Sequence, residues 1–173
     1  MNTALGAVRT ASGVSAALRP ALRPALSPAE LAQIARHSAD QPELWRALVR
    51  FEAEKRWYVR LACGDEHEVW LLTWLPGQQT GFHDHGESSG AFVVADGALT
   101  ERAVAAGRPR SPGRRLAAGS VRSFGPHYVH DVRNDGIDPA VSIHAYSPPL
   151  TSMRRFEFGG NGLLRVTAED RTW

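Results

Sequence analysis

Three histidines define the chemistry this sequence could do. His83 and His85 flank Asp84 in the stretch GFHDHGESSG, residues 81 to 90. Side chains two residues apart on a strand share a face, so both imidazoles would point the same way. His130 lies in a second stretch, VHDVRN, residues 129 to 134. Neutral imidazole is a ligand for iron, zinc, copper or nickel. Two other patterns could work beside such a site. SIHAYSPP puts Ser142, His144 and Tyr146 on one strand face, where hydroxyl, imidazole and phenol can hydrogen-bond in series. WYVR puts Tyr58 and Arg60 on one face. An inward Arg60 would be a buried charge that needs a partner, and a substrate carboxylate held by two hydrogen bonds supplies one. Ser142, His144 and Tyr146 do not read as a nucleophilic triad: no acid orients the base and no elbow motif surrounds Ser142.

The elements that must position these groups follow from local pattern. Ser27-Pro28-Ala29-Glu30 is a helix start, with Ser27 as cap, Pro28 in the first turn and Glu30 closing a capping box. LAQIARHSA continues with helical spacing, and a second short helix is expected from Pro42 through ELWRALVRF. After about residue 56 the runs RWYVRLA, EVWLLTW, GAFVVADG, SVRSFG and AVSIHAYS are short, β-prone and bounded by turn residues. Their spacing of roughly 8 to 12 residues suits a β-sandwich or barrel. Residues 105–118, AAGRPRSPGRRLAA, have the composition of a loop.

Composition narrows the function classes. The 173 residues favour one domain, 43% are apolar and 22% charged, and the formal charge is only +2. Arginines are scattered, with no basic stripe interleaved with aromatics, so nucleic-acid binding is not expected. No apolar run reaches the roughly 18 residues of a membrane span. Cys63 is the only cysteine, which excludes an intrachain disulfide and a cysteine-rich zinc site and fits a cytoplasmic location. Residues 1–26 are rich in Ala, Arg, Leu and Pro and lack acidic residues. They are expected to be a disordered extension before a single domain over 27–173, and the chain is expected to be a monomer.

The glycines then frame the histidines. Gly77, His83, His85, Gly90 and Gly97 read G-x5-H-x-H-x4-G-x6-G, and Gly119, His130 and Asn134 read G-x10-H-x3-N. Both patterns resemble the two halves of the cupin signature, which implies a mainly β, jelly-roll barrel with short N-terminal helices and the three histidines converging inside it. The usual cupin glutamate ligand is replaced by Gly90, and Glu87 lies three residues too early for that place. Gly125 and His127 stand where proline and glycine are usual; His127 is read as a loop residue.

Taken together, YVR, HDH, VHDVRN and SIHAYSPP, in that order, resemble a bacterial cysteine dioxygenase, a thiol dioxygenase of the cupin superfamily, over roughly residues 28 to 160. The resemblance implies Fe(II) held by His83, His85 and His130. It also implies a small-molecule thiol and O2 as reactants, with Arg60 on the substrate carboxylate and Tyr58 near it. Tyr146 would orient carboxylate and oxygen, supported by His144 and Ser142. The product would be L-cysteine sulfinic acid. Animal members carry a cysteine, cross-linked to the tyrosine, where this chain has Gly90, and another where it has Met153. A dioxygenase for 3-mercaptopropionate is one rival; its members usually have glutamine at the position of Arg60. A metal- or ligand-binding cupin sensor without turnover is the other.

Overall fold

The computed structural model describes residues 25–105, 108–109, 112–160 and 162–171. Helix α1 spans Pro28–Ala39, and the Ser27–Glu30 capping box closes its start in both directions. Helix α2, Pro42–Trp45, passes into a single 3-10 turn, Arg46–Leu48. The second helix therefore stops short of the expected Phe51. Thr73 Oγ1 donates to the Arg50 carbonyl at 2.6 Å and Gln78 Nε2 to the Glu52 carbonyl at 2.8 Å, which ties this stretch to the sheet instead.

Among the described residues the body has twelve strands: β1 Tyr58–Cys63, β2 Glu68–Trp74, β3 Phe82–His83, β4 Ser89–Asp96, β5 Ala98–Ala105, β6 Arg108–Pro109, β7 Arg114–Ala117, β8 Val121–Phe124, β9 His130–Arg133, β10 Ala140–Ser147, β11 Met153–Phe158 and β12 Leu164–Asp170. They form two antiparallel sheets. One runs β1-β2-β10-β4-β8. The other runs β12-β11-β3-β9-β5-β6, with β7 also on β5. The mainly β expectation holds, and two facing sheets of this kind make the cupin barrel.

The loop expected over residues 105–118 is corrected: β6 and β7 both pair with β5. Proline is tolerated in β6 because that strand lies at the sheet edge. In β7 only Leu116 is buried, so the strand is too short and too polar to show alternation. Of the expected extension 1–26, residues 1–24 lie outside the described residues. Leu26 packs on the core and its N–H donates to Ser147 Oγ at 2.9 Å. Among the described residues no helix is long and apolar enough to cross a membrane.

Strand alternation sorts the central sheet into two faces. Val69, Leu71, Ala91, Val93, Val141, Ile143 and Ala145 form an apolar cluster with Leu31 and Ala35 of α1 and with Trp45. Trp70, Trp74, Phe92, Val94 and Tyr146 belong instead to the cluster with Leu99, Leu116, Phe124 and Val132 of the barrel interior. The helix thus caps one face, and the opposite face is free to build a cavity.

Candidate metal and substrate site

The short strand β3 pairs with β9 so that His83 lies directly opposite His130. His85 follows two residues later and completes the group. Ring centroids lie 4.7 Å (His83–His130), 4.8 Å (His83–His85) and 5.4 Å (His85–His130) apart. All three side chains are buried, and one ligand atom from each lies within 4.8 Å of the others. Burial pushes His83 and His85 well below the ordinary imidazole range, and the neighbouring histidines add to the effect. Both rings are therefore neutral at pH 7, with a lone pair to give. His83 Nδ1 faces the Gly81 carbonyl at 3.0 Å and His130 Nδ1 faces Glu101 at 3.0 Å, so both Nε2 atoms are free. Neither ring nitrogen of His85 has a hydrogen-bond partner among the described residues. A buried imidazole with no hydrogen bond is costly. A metal ion reached by all three rings removes that cost, so the donor set fits one.

Gly90 accounts for the missing carboxylate ligand. A Cβ there would lie 2.5 Å from Phe124 Cε2 and 3.0 Å from Tyr146 Cδ1. Phe124 stacks on His85, so the space belongs to the aromatic wall of the site. Glu87 points away: its side chain is 82% exposed and pairs with His127. His127 lies in a loop with φ 58°.

A hydrogen-bonded chain enters the cavity from β10. Trp74 Nε1 donates to Ser142 Oγ at 2.8 Å, Ser142 Oγ lies 2.9 Å from His144 Nε2, and His144 Nδ1 lies 3.1 Å from Tyr146 Oη. Burial, with the Arg56 charge adding to it, keeps His144 neutral, so it has one donor and one acceptor. An indole N–H can only donate, and among the described residues the Ser142 proton finds its acceptor in His144 Nε2. His144 Nδ1–H then donates to Tyr146 Oη, and the phenol proton is left for the cavity. Burial pushes the Tyr146 phenol far up, so it remains protonated. Trp74 is both part of the core and the first link of this chain.

The cavity has a volume of about 310 Å³. The three histidines, His144 and Tyr146 line it, with Trp70, Leu72, Leu150 and Met153 as apolar wall and Arg56, Tyr58 and Arg155 among its polar groups. Tyr58 is 42% exposed, its ring edge-on to Trp70 at 6.0 Å. Arg60 is not inward, which corrects the expectation that its charge is buried. It lies on edge strand β1, its side chain is 50% exposed, and it is not among the lining residues. Its guanidinium lies over the Trp70 ring and reaches Glu68 Oε2 at 3.4 Å. Trp70 fills the wall beneath it, and an open sheet edge lets a long cation keep its water.

The arginine that does enter is Arg56, two residues before β1 and missed by the sequence reading because strand alternation was counted from Tyr58. Its guanidinium lies 4.6 Å from the centre of the Trp74 ring, and burial lowers its pKa without discharging it. Among the described residues no carboxylate lies within ion-pair distance of it. Arg155, also missed, is balanced by Asp170 at 2.7 Å and donates to the Thr80 carbonyl at 3.3 Å. The arrangement offers three metal ligands, a phenol donor and one uncompensated cation around a single small cavity.

Comparison with known proteins follows the same line. The family model for cysteine dioxygenase type I matches residues 2–158. Cysteine dioxygenase type 1 of Danio rerio is 27% identical over 142 residues, covering 74% of this chain and 69% of that relative. Two solved structures share the fold. The protein TT1209 from Thermus thermophilus aligns with TM-score 0.53 and 23% identity over 60% of this chain and 93% of its own. A double-stranded β-helix protein from Klebsiella pneumoniae aligns with TM-score 0.53 and 18% identity over 71% of this chain and 93% of its own.

Proposed function

Because the chain belongs to the cysteine dioxygenase type I family, we propose that its three histidines hold Fe(II) and that it oxidises L-cysteine with O2 to L-cysteine sulfinic acid. The observation that carries the reading is the convergence of His83, His85 and His130 with a half-buried Arg56, unpaired among the described residues, in one cavity. Fe(II) bound there would supply the redox chemistry, passing both atoms of O2 to the substrate sulfur. Three neutral imidazoles leave the ion its full charge, which favours an anionic thiolate as the exogenous ligand.

The protein's own part is to position. Arg56 takes the substrate carboxylate in the role expected of Arg60, since it is the cation that faces the cavity without a partner. A bidentate guanidinium–carboxylate pair fixes direction as well as distance. The Tyr146 hydroxyl, held by His144, donates toward the same carboxylate or the oxygen beside it. Tyr58 covers the mouth. Trp70, Leu72, Leu150 and Met153 keep water from the rest of the cavity, so the reacting sulfur is confined rather than solvated.

The test is oxygen uptake by Fe(II)-loaded protein, with L-cysteine and 3-mercaptopropionate offered separately and sulfinate counted against O2. The reading expects uptake that favours cysteine, with one sulfinate formed per O2. Preference for 3-mercaptopropionate would keep the site and overturn the substrate. No uptake with either, despite bound iron, would favour a sensor.

A further inference from the structure

We infer that Glu101 is a positioning residue for the metal: its carboxylate holds His130 in the tautomer that carries its proton on Nδ1 and presents Nε2 to the ion. This rests on the reading of the three histidines as a metal site. Glu101 lies on β5, which pairs with β9, and is 3% exposed. Its Oε1 lies 3.0 Å from His130 Nδ1, and its Oε2 accepts from Arg122 Nε. Tyr128 Oη lies 3.4 Å from Oε1, and the Tyr128 ring meets His130 edge-on at 5.3 Å. A carboxylate paired with an arginine only accepts, so the proton between Glu101 and His130 belongs to the imidazole.

The three ligands therefore stand in three different settings. Among the described residues His130 is backed by a carboxylate, His83 by the neutral carbonyl of Gly81, and His85 by no hydrogen bond. A carboxylate behind a ligating imidazole fixes the ring and makes it a better donor. The negative charge that Gly90 denies to the ligand set is thus placed one hydrogen bond farther out, on Glu101. His130 becomes the anchor of the site and His85 its weakest tether.

The experiment needs neither thiol nor oxygen. The metal-free full chain and its Glu101→Gln variant are titrated with Co(II). The ring nitrogens of His130 are then assigned in the metal-free proteins by ¹⁵N NMR at neutral pH. We expect the variant to bind Co(II) about ten- to hundredfold more weakly. In the wild type His130 should carry its proton on Nδ1; in the variant the tautomers should mix. Equal Co(II) affinity in both proteins, or a wild-type His130 protonated on Nε2, overturns the role of Glu101 and leaves thiol oxidation untouched. If the variant does not fold, the wild-type spectrum decides alone. A wild type that takes up no Co(II) overturns the metal reading and this inference with it.

Discussion

Strand β10 has two faces of opposite character, although all eight of its residues are buried. Val141, Ile143 and Ala145 pack into the apolar cluster under α1. Ser142, His144 and Tyr146, interleaved with them, form a hydrogen-bonded chain into the cavity. The difference lies in what each face demands. Apolar packing is nondirectional and tolerates exchange of similar volumes. A buried polar chain must satisfy every member, because one broken link leaves a desolvated group behind. The first face should therefore govern stability and the second function, and each can be broken alone.

The largest effect is expected on the cavity side. His83→Ala removes one of three ligands and should abolish both bound iron and turnover, measured as metal content after dialysis and as oxygen uptake. The fold should survive, because the lost ring is held by the site rather than by the apolar cluster. On the helix side, Ile143→Ala should cost about 2–5 kcal/mol of stability in denaturant unfolding. Turnover and metal content per folded molecule should be unchanged. Loss of iron from Ile143→Ala, or normal turnover in His83→Ala, would show that the faces are not separable.

Much of this division was readable from residue type and spacing. Alternation in AVSIHAYS separates the two faces, and the resemblance of the paired glycine–histidine spacings to the cupin signature implied that His83, His85 and His130 converge. The capping box before α1 was legible because it is local. The misreadings arose where long-range contacts decide. Arg56 and Arg60 flank Tyr58 at equal spacing, and nothing local says that Trp70 fills the wall under one and not the other. The short strands β6 and β7 carry proline and arginine and are strands only because β5 offers an edge to pair with. Glu101 sits in ALTERAVA with no motif around it, and its role comes from the strand that β5 meets, 29 residues farther on. Arg155 was equally hidden, since β11 alternation does not reveal which face borders the cavity.

The measurement that tests the account most directly is the KM for L-cysteine of Arg56→Gln and Arg60→Gln, side by side with wild type in the oxygen-uptake assay. A buried charge-assisted hydrogen bond contributes about 1.5–3 kcal/mol. Arg56→Gln should therefore raise KM by roughly ten- to a hundredfold, because the substrate carboxylate loses the one cavity cation that has no ion-pair partner among the described residues. Arg60→Gln should leave KM near the wild-type value, since its guanidinium lies outside the cavity against Glu68 and Trp70. The reverse pattern would contradict the account: it would place the carboxylate on Arg60 and leave the half-buried charge of Arg56 without a use.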